Sequence, residues 1–515
     1  MPKIRLVSGF LTVGMWTMLS RLLGFVRDIA IAARLGDGPV GEAFLVAFAL
    51  PNMFRRFFAE GAFNMAFVPM FSKKLESGDD PLGFARDAFA GLAAVVLLVT
   101  ILAQLVMPWL VLAMASGFAG DARFEMATGF GRVAFFYILF ISLAALLSGV
   151  LNASGRFVAA AAAPVLLNII LVGAMALSGP MGWDFGWALT WAVPLAGFAQ
   201  LVLVWKAAAR AGFRLVPRRP RMTPELKRLA LIAGPAALAG GVMQINLLVG
   251  RQVASFYDGA IMYLNLADRL YQLPLGVVAI AIGVVLLPDL SRKLEAGDTR
   301  GGQDGFNRAT EFALLLTVPA SIALMTVPFP IVSVLYQRGL FDAQAAQATA
   351  LVTAIYGAGL PAFVLQKVLQ PLYFARHDTR RPFRFALVAM AVNAAIAILL
   401  APVIGFAAAA LATTLAGWAM VALLWHGSRQ MGDAARTDAR LRKRSVRVFI
   451  AAVIMGGVLL ATKSLLGDSF QTPGLRYGAL LALVTTGMVT YFIAAQALGA
   501  VNLRELRQSL RRKPA

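Results

Sequence analysis

Of the 515 residues, 60% are hydrophobic and only 14% charged, and the mean hydropathy of +0.76 excludes an ordinary soluble globular chain in favour of an integral membrane protein. With no cysteine and two histidines, His377 and His426, both beside basic loops, the chain lacks the material for disulfides, thiolate sites, imidazole metal centres or a histidine triad. The net charge of +22 would suit nucleic acid only if it were gathered on one surface, so its placement along the chain decides its meaning.

The basic start Met1 to Arg5 resembles that of a signal peptide, but the apolar segment that follows is too long for one, so a retained first helix is expected. Windows of about 20 apolar residues predict about fourteen spans. In chain order they are 9–33, 40–72, 84–112, 128–150, 157–178, 184–205, 229–253, 259–290, 310–335, 346–374, 385–402, 405–425, 447–466 and 477–498. If the N-terminus is cytoplasmic, 33 of the 47 basic residues fall in cytoplasmic segments, among them 206–228, 429–447 and 504–513. Only Arg34, Arg123, Arg338, Lys463 and Arg476 fall outside. That asymmetry puts both termini in the cytoplasm and assigns the charge to topology and anionic lipid rather than to nucleic acid.

The segment VPMFSKKLESGD (68–79) recurs as LPDLSRKLEAGD (287–298), an offset of 219 residues, with each copy ending the second helix of its half. The same register sets Arg27 near Arg251 and Pro51 near Pro274. This implies a parallel repeat of two six-helix halves. The expected domains are an N-terminal lobe over 1–222, a C-terminal lobe over 223–430, and an appendage of two more helices and a basic tail over 431–515. Gly24, Pro51 and Pro69 in one half, and Pro235, Pro274 and Pro288 in the other, mark expected helix interruptions in the first two helices of each. Transporters of repeat architecture place their substrate near such points.

Nine basic residues remain inside spans: Arg21, Arg27, Arg55, Arg56, Arg86, Arg132, Arg251, Arg269 and Lys367. Arg86 and Arg132 lie near helix ends and can snorkel. Burying Arg21, Arg27, Arg55 and Arg269 in hydrocarbon would cost on the order of 10 kcal/mol in total, so water, carboxylates or an anion must meet them. Gly24, between Arg21 and Arg27, is a point where the helix can bend to turn both toward one cavity. Nearby acids are Asp28, Glu42, Glu60 and Asp268, and internal ion pairing with Asp28 or Glu60 is the plain structural alternative. The planar guanidinium fork suits phosphate, which favours an anion-lined cavity.

The stretch SRLLGFVRD (20–28), followed by LPNMFRRFFAEGAFNMAFVP (50–69), resembles the N-terminal signature of the MurJ lipid II flippases, of the multidrug/oligosaccharidyl-lipid/polysaccharide exporter superfamily. ADRL (267–270), Pro274, KVL (367–369) and FAR (374–376) resemble that family's eighth and tenth helices. The resemblance implies a multi-pass protein of the bacterial inner membrane that moves lipid II, an undecaprenyl-diphosphate-linked peptidoglycan precursor, to the periplasmic leaflet by alternating access. By motif match it implies substrate-binding roles for Arg21, Arg27, Arg55, Arg269 and Glu42, with Asp28, Arg56, Glu60, Arg251, Asp268 and Lys367 in support. Family members more often carry aspartate where this chain has Glu42. The resemblance also implies a lipid-tail groove over Ala451 to Leu460 and Tyr477 to Ile493.

Three other readings compete. A cation-coupled drug exporter needs buried carboxylates, yet 385–425 holds no Asp or Glu. A flippase for another undecaprenyl-diphosphate glycan would carry the same arginines. A cell-wall scaffold would have no use for several arginines within its spans. The absence of a G-x-x-x-x-G-K-[ST] loop and of metal-ligand spacing argues against an enzyme. No cofactor is expected; membrane potential or an ion gradient is the expected driver, and membrane lipids, cell-wall synthesis proteins and division proteins are the expected partners.

Overall fold

The computed structural model describes the backbone of residues 3–55, 62–216 and 218–501. Side chains are described in the same ranges except at 3–12, 62–65, 234–247, 277, 279–285, 287, 288 and 434. The described residues are helical, with one isolated bridge, Arg338 to Phe341, as the β-type pairing among them. Among the described residues the predicted spans are mostly helical, with 128–150 and 310–335 each divided between two helices. Ten helices among the described residues are long and apolar enough to cross a membrane by length and composition.

Packing divides the chain into two units, one of Met1–Met262 with Arg338–Phe341, the other of Tyr263–Gln337 with Asp342–Ala515. The first contains α1 (Lys3–Leu35), α2 (Pro39–Arg55), α3 (Ala62–Ser77), α4 (Pro81–Met114), α5 (Ala122–Ala134), α6 (Tyr137–Ala153), α7 (Val158–Met181), α8 (Phe185–Arg210) and α9 (Pro224–Ala254). It also takes the first residues of α10 (Ala260–Glu295). The second holds the rest of α10, then α11 (Thr299–Thr326), α12 (Pro328–Tyr336), α13 (Ala343–Phe374), α14 (Arg380–Ile404), α15 (Ala407–Ser428), α16 (Ala439–Leu466) and α17 (Arg476–Ala497). These packing units and the sequence repeat partition the chain differently. Helix α9, which opens the second repeat, lies against α3 and α4 of the first unit.

Acidic side chains start the helices. Asp80, Asp184, Asp298 and Asp342 each accept a hydrogen bond at 2.8 Å from the backbone N–H three residues on. Such caps satisfy donors that a helix start leaves open, so part of the small acidic complement sits at helix ends. The repeated segments end alike: Gly78 and Gly297 turn at φ 72° and 73°, followed by the capping Asp80 and Asp298. The Asp298 cap also corrects a boundary, because α11 starts at Thr299, well before the apolar window at 310.

The interruptions expected at glycine and proline take another form. Helix α1 runs unbroken through Gly24, and α9 and α10 run through Pro235, Pro274 and Pro288. Pro51 and Pro69 also lie inside helices, α2 and α3.

In the first unit α7 packs on α1 and α8, α6 on α8, and α2 on α5. Apolar residues such as Leu105 and Trp109 of α4 stay exposed, as a lipid-facing helix requires. The connection from α8 to α9 is tied down: Arg218 pairs with Asp87 and donates to the Gly83 carbonyl (2.9 Å), and Arg86 donates to the Arg214 carbonyl (3.1 Å). Leu340 of the short bridge segment donates its N–H to the Ala33 carbonyl at the end of α1, at 3.0 Å.

In the second unit α11 packs on α13 and α16, α15 on α13 and α14, and α16 on α17. Glu311 of α11 pairs with Arg308, Arg440 and Arg444, and Arg308 also pairs with Asp438, the cap of α16. Tyr491 of α17 donates to the Leu315 carbonyl at 2.7 Å.

Candidate functional site

Two buried polar clusters stand out in the first unit. The first lies between α1 and α7. Arg27 is 5% exposed and Asp28 3%; the Arg27 Nε and Nη2 both donate to Asp28 Oδ1, at 2.9 and 2.7 Å. Nη1 donates to Asn168 Oδ1 at 3.1 Å, and the guanidinium stands 5.5 Å from the centre of the Phe48 ring. The ion-pair alternative thus holds for Arg27: its charge is met by Asp28. Asn168 Nδ2 in turn donates to the Ser20 carbonyl at 3.0 Å. Gly24 faces the Asn168 amide, and a Cβ there would stand 3.7 Å from it, an ordinary contact distance. Arg21, on the same helix, is exposed.

The second cluster is at the start of α2. Glu42, 1% exposed, accepts from Arg123 Nη1 at 2.8 Å and from the backbone N–H of Ile261 at 3.1 Å. The carboxylate therefore caps the first turn of α10 and neutralises an arginine of α5. Arg123 is shared further, with Asp121 at 2.5 Å and Asp258 at 3.2 Å, and it lies 4.6 Å from the Phe118 ring centre. The Arg123 backbone N–H, then its guanidinium, hold the Asp121 carboxyl below its ordinary range against the opposing effect of burial. Glu42 is thus placed with Arg123 in this structure.

The remaining residues are dispersed. Arg55 is half-buried at the last described position of α2, and Arg251 is half-buried in the last turn of α9. Phe54 packs edge-on to Phe135, as a packing role predicts. In the second unit Asp268 and Arg269 are half-buried on α10, and Asp268 accepts from the Gln272 amide. Tyr271 beside them packs on Tyr356 and Phe363, with ring centres 5.1 and 5.2 Å away. Lys367 is exposed on α13. Arg56, Glu60 and the basic tail 504–513 lie outside the described residues.

Arg123 and Asn168 were not selected from the sequence, and both left a signal. Arg123 is one of the five basic residues that the charge asymmetry assigns to the outer side, where the positive-inside rule gives no reason for an arginine. Asn168 is an amide in the middle of a 24-residue apolar helix, which needs a partner wherever it is buried. No group of three or more His, Cys, Asp or Glu able to hold a metal ion occurs among the described residues.

A family model described as "Lipid II flippase MurJ" matches residues 31–472. A Rhizobium tropici protein named "Probable lipid II flippase MurJ" is 43% identical over 99% of this chain and 97% of its own length. A Rhizobium meliloti protein of the same name is 44% identical over 98% of this chain and 96% of its own. A solved structure described as "Lipid II flippase MurJ, inward closed conformation" superposes with a TM-score of 0.80 at 24% identity. It covers 95% of this chain and 98% of that one, a likeness of fold.

Proposed function

We propose that this chain, which belongs to the lipid II flippase MurJ family, carries lipid II from the cytoplasmic to the periplasmic leaflet of the bacterial inner membrane. The observation that carries the reading is the relationship to the named flippases over nearly the whole chain. A transporter of this kind makes and breaks no covalent bond, so it is not an enzyme.

The physical problem is to move a diphosphate-linked glycopeptide across about 30 Å of hydrocarbon while the polyprenyl tail stays in lipid. In our reading the chain crosses fourteen times with both termini cytoplasmic. The repeat halves, 1–222 and 223–430, alternate access to a central path. Arg21, Arg27, Arg55 and Arg269 serve the diphosphate by forked, charge-assisted hydrogen bonds. The exposed guanidinium of Arg21 is open to such a contact, whereas Arg27 must share itself with Asp28. Glu42 acts through Arg123 and α10 rather than on the substrate. The apolar exposed faces of α16 and α17, with Ile454 and Leu460 on one and Leu481 and Met488 on the other, suit the tail. Membrane potential or an ion gradient drives the cycle without a cofactor, and cell-wall synthesis and division proteins are its protein partners.

The test is depletion rescue. The host's own lipid II flippase is shut off, this chain or Arg21→Ala is expressed at equal abundance in the membrane, and growth and periplasmic exposure of lipid II are scored. Rescue by the parent and failure of the variant are expected; a well-inserted parent that does not expose lipid II overturns the cargo.

A further inference from the structure

We infer that Asn168 is a positioning residue for substrate phosphate, aiming Arg27 and fixing α1 on both sides of Gly24; this rests on the flippase reading above. Asn168 is 4% exposed in α7, and its amide is used at both ends. The oxygen takes the Arg27 Nη1 proton donor at 3.1 Å, and the nitrogen donates to the Ser20 carbonyl at 3.0 Å. Ser20 and Arg27 lie on either side of Gly24, which faces the same amide.

The choice of an amide follows from what each neighbour needs. An arginine N–H needs an acceptor and a backbone carbonyl needs a donor, and asparagine supplies one of each without charge. Aspartate could not donate to Ser20. It would also set a second carboxylate on a guanidinium already paired with Asp28, giving the cluster a net negative charge that repels a phosphate. Alanine or leucine would leave the buried contacts unmade.

The arrangement leaves Arg27 oriented but not consumed. Of the five N–H donors of a guanidinium, two go to Asp28 and one to Asn168. The others lie in a guanidinium plane whose direction Asp28 and Asn168 fix together. A donor held this way loses little freedom when an anion arrives.

The test is a double-mutant cycle on the purified full chain in lipid nanodiscs, read by lipid II titration and by thermal unfolding. Asn168→Ala should weaken lipid II binding on the order of tenfold, the scale of one hydrogen bond to a charged group. In an Arg27→Ala background the same change should cost less than about twofold, because the residue it aims is gone. Asn168→Asp should also weaken binding in the parent background. Equal losses in both backgrounds, or none in either, overturn the inference while parent binding keeps the flippase reading intact. A folded parent that does not bind lipid II overturns the flippase reading and takes this inference with it.

Discussion

Glu42 and Arg123 stand 2.8 Å apart with side chains 1% and 7% exposed, and the second Glu42 oxygen takes the backbone N–H of Ile261. A buried pair of this kind adds modestly to net stability, but Arg123→Ala strands the Glu42 carboxylate and should destabilise by about 3 kcal/mol or more. Glu42→Ala should cost less, because Arg123 keeps Asp121 and Asp258. The double variant should lose less than the two single losses combined. Thermal unfolding of the four proteins in one detergent checks both points; strictly additive losses would refute the pairing.

Asp121 gives the same cluster an acid limit. Its folded-state carboxyl lies below its ordinary value, so its contribution is complete above the unfolded value of about 3.9. It is lost as pH falls through the lower folded value. Unfolding temperature should therefore fall more steeply below about pH 4 in the parent than in Asp121→Asn. Parallel profiles would remove Asp121 from the account.

Gly339 turns at φ 58°, and a Cβ there would lie 2.1 Å from the Ala33 carbonyl oxygen. Gly339→Ala meets both a left-handed backbone cost of about 1–2 kcal/mol and a clash with main chain. A clear drop in unfolding temperature is expected. Gly212, also at positive φ but with open space around it, should respond to Ala substitution with the backbone cost alone.

Glu311 is the carboxylate that Arg308, Arg440 and Arg444 share. Glu311→Gln removes the charge while keeping the size, leaving the arginines to repel one another at the α11–α16 seam. Limited proteolysis should then cut faster near 432–438, and cleavage at the parent's rate would count against the network.

Arg21→Lys tests geometry against charge. Lysine keeps the cation but not the planar two-pronged donor. Lipid II exposure in the depletion assay should fall severalfold with insertion unchanged; full activity would show that charge alone suffices there.

Helix content was legible because membrane spans declare themselves by composition. Among the described residues each window from 9–33 to 477–498 is mostly helical, and the resemblance in 20–28 and 50–69 points to the family that the whole-chain comparisons show. Ends were harder to read. The start of α11 at Thr299 depends on the Asp298 cap, not on hydropathy. Partners were hardest, because pairing depends on which helices pack. Arg27 finds Asp28 as its sequence neighbour, which local reading allowed. Its second partner is 141 residues away, and the partner of Glu42 is 81 away. Span periodicity carries no such information. Glycine permits a bend at Gly24, yet α1 runs through it unbroken, because a permitted bend is taken only where packing calls for it.

The tied connection between α8 and α9 has a mechanical meaning. With Arg218 on Asp87 and Gly83, and Arg86 on Arg214, its path is pinned at two stations along the first turns of α4. Each station joins an arginine side chain to a main-chain carbonyl, once from the connection to α4 and once from α4 to the connection. The crossover therefore acts as a strut rather than a leash: a pull on the start of α9 is delivered to α4 instead of being absorbed as slack.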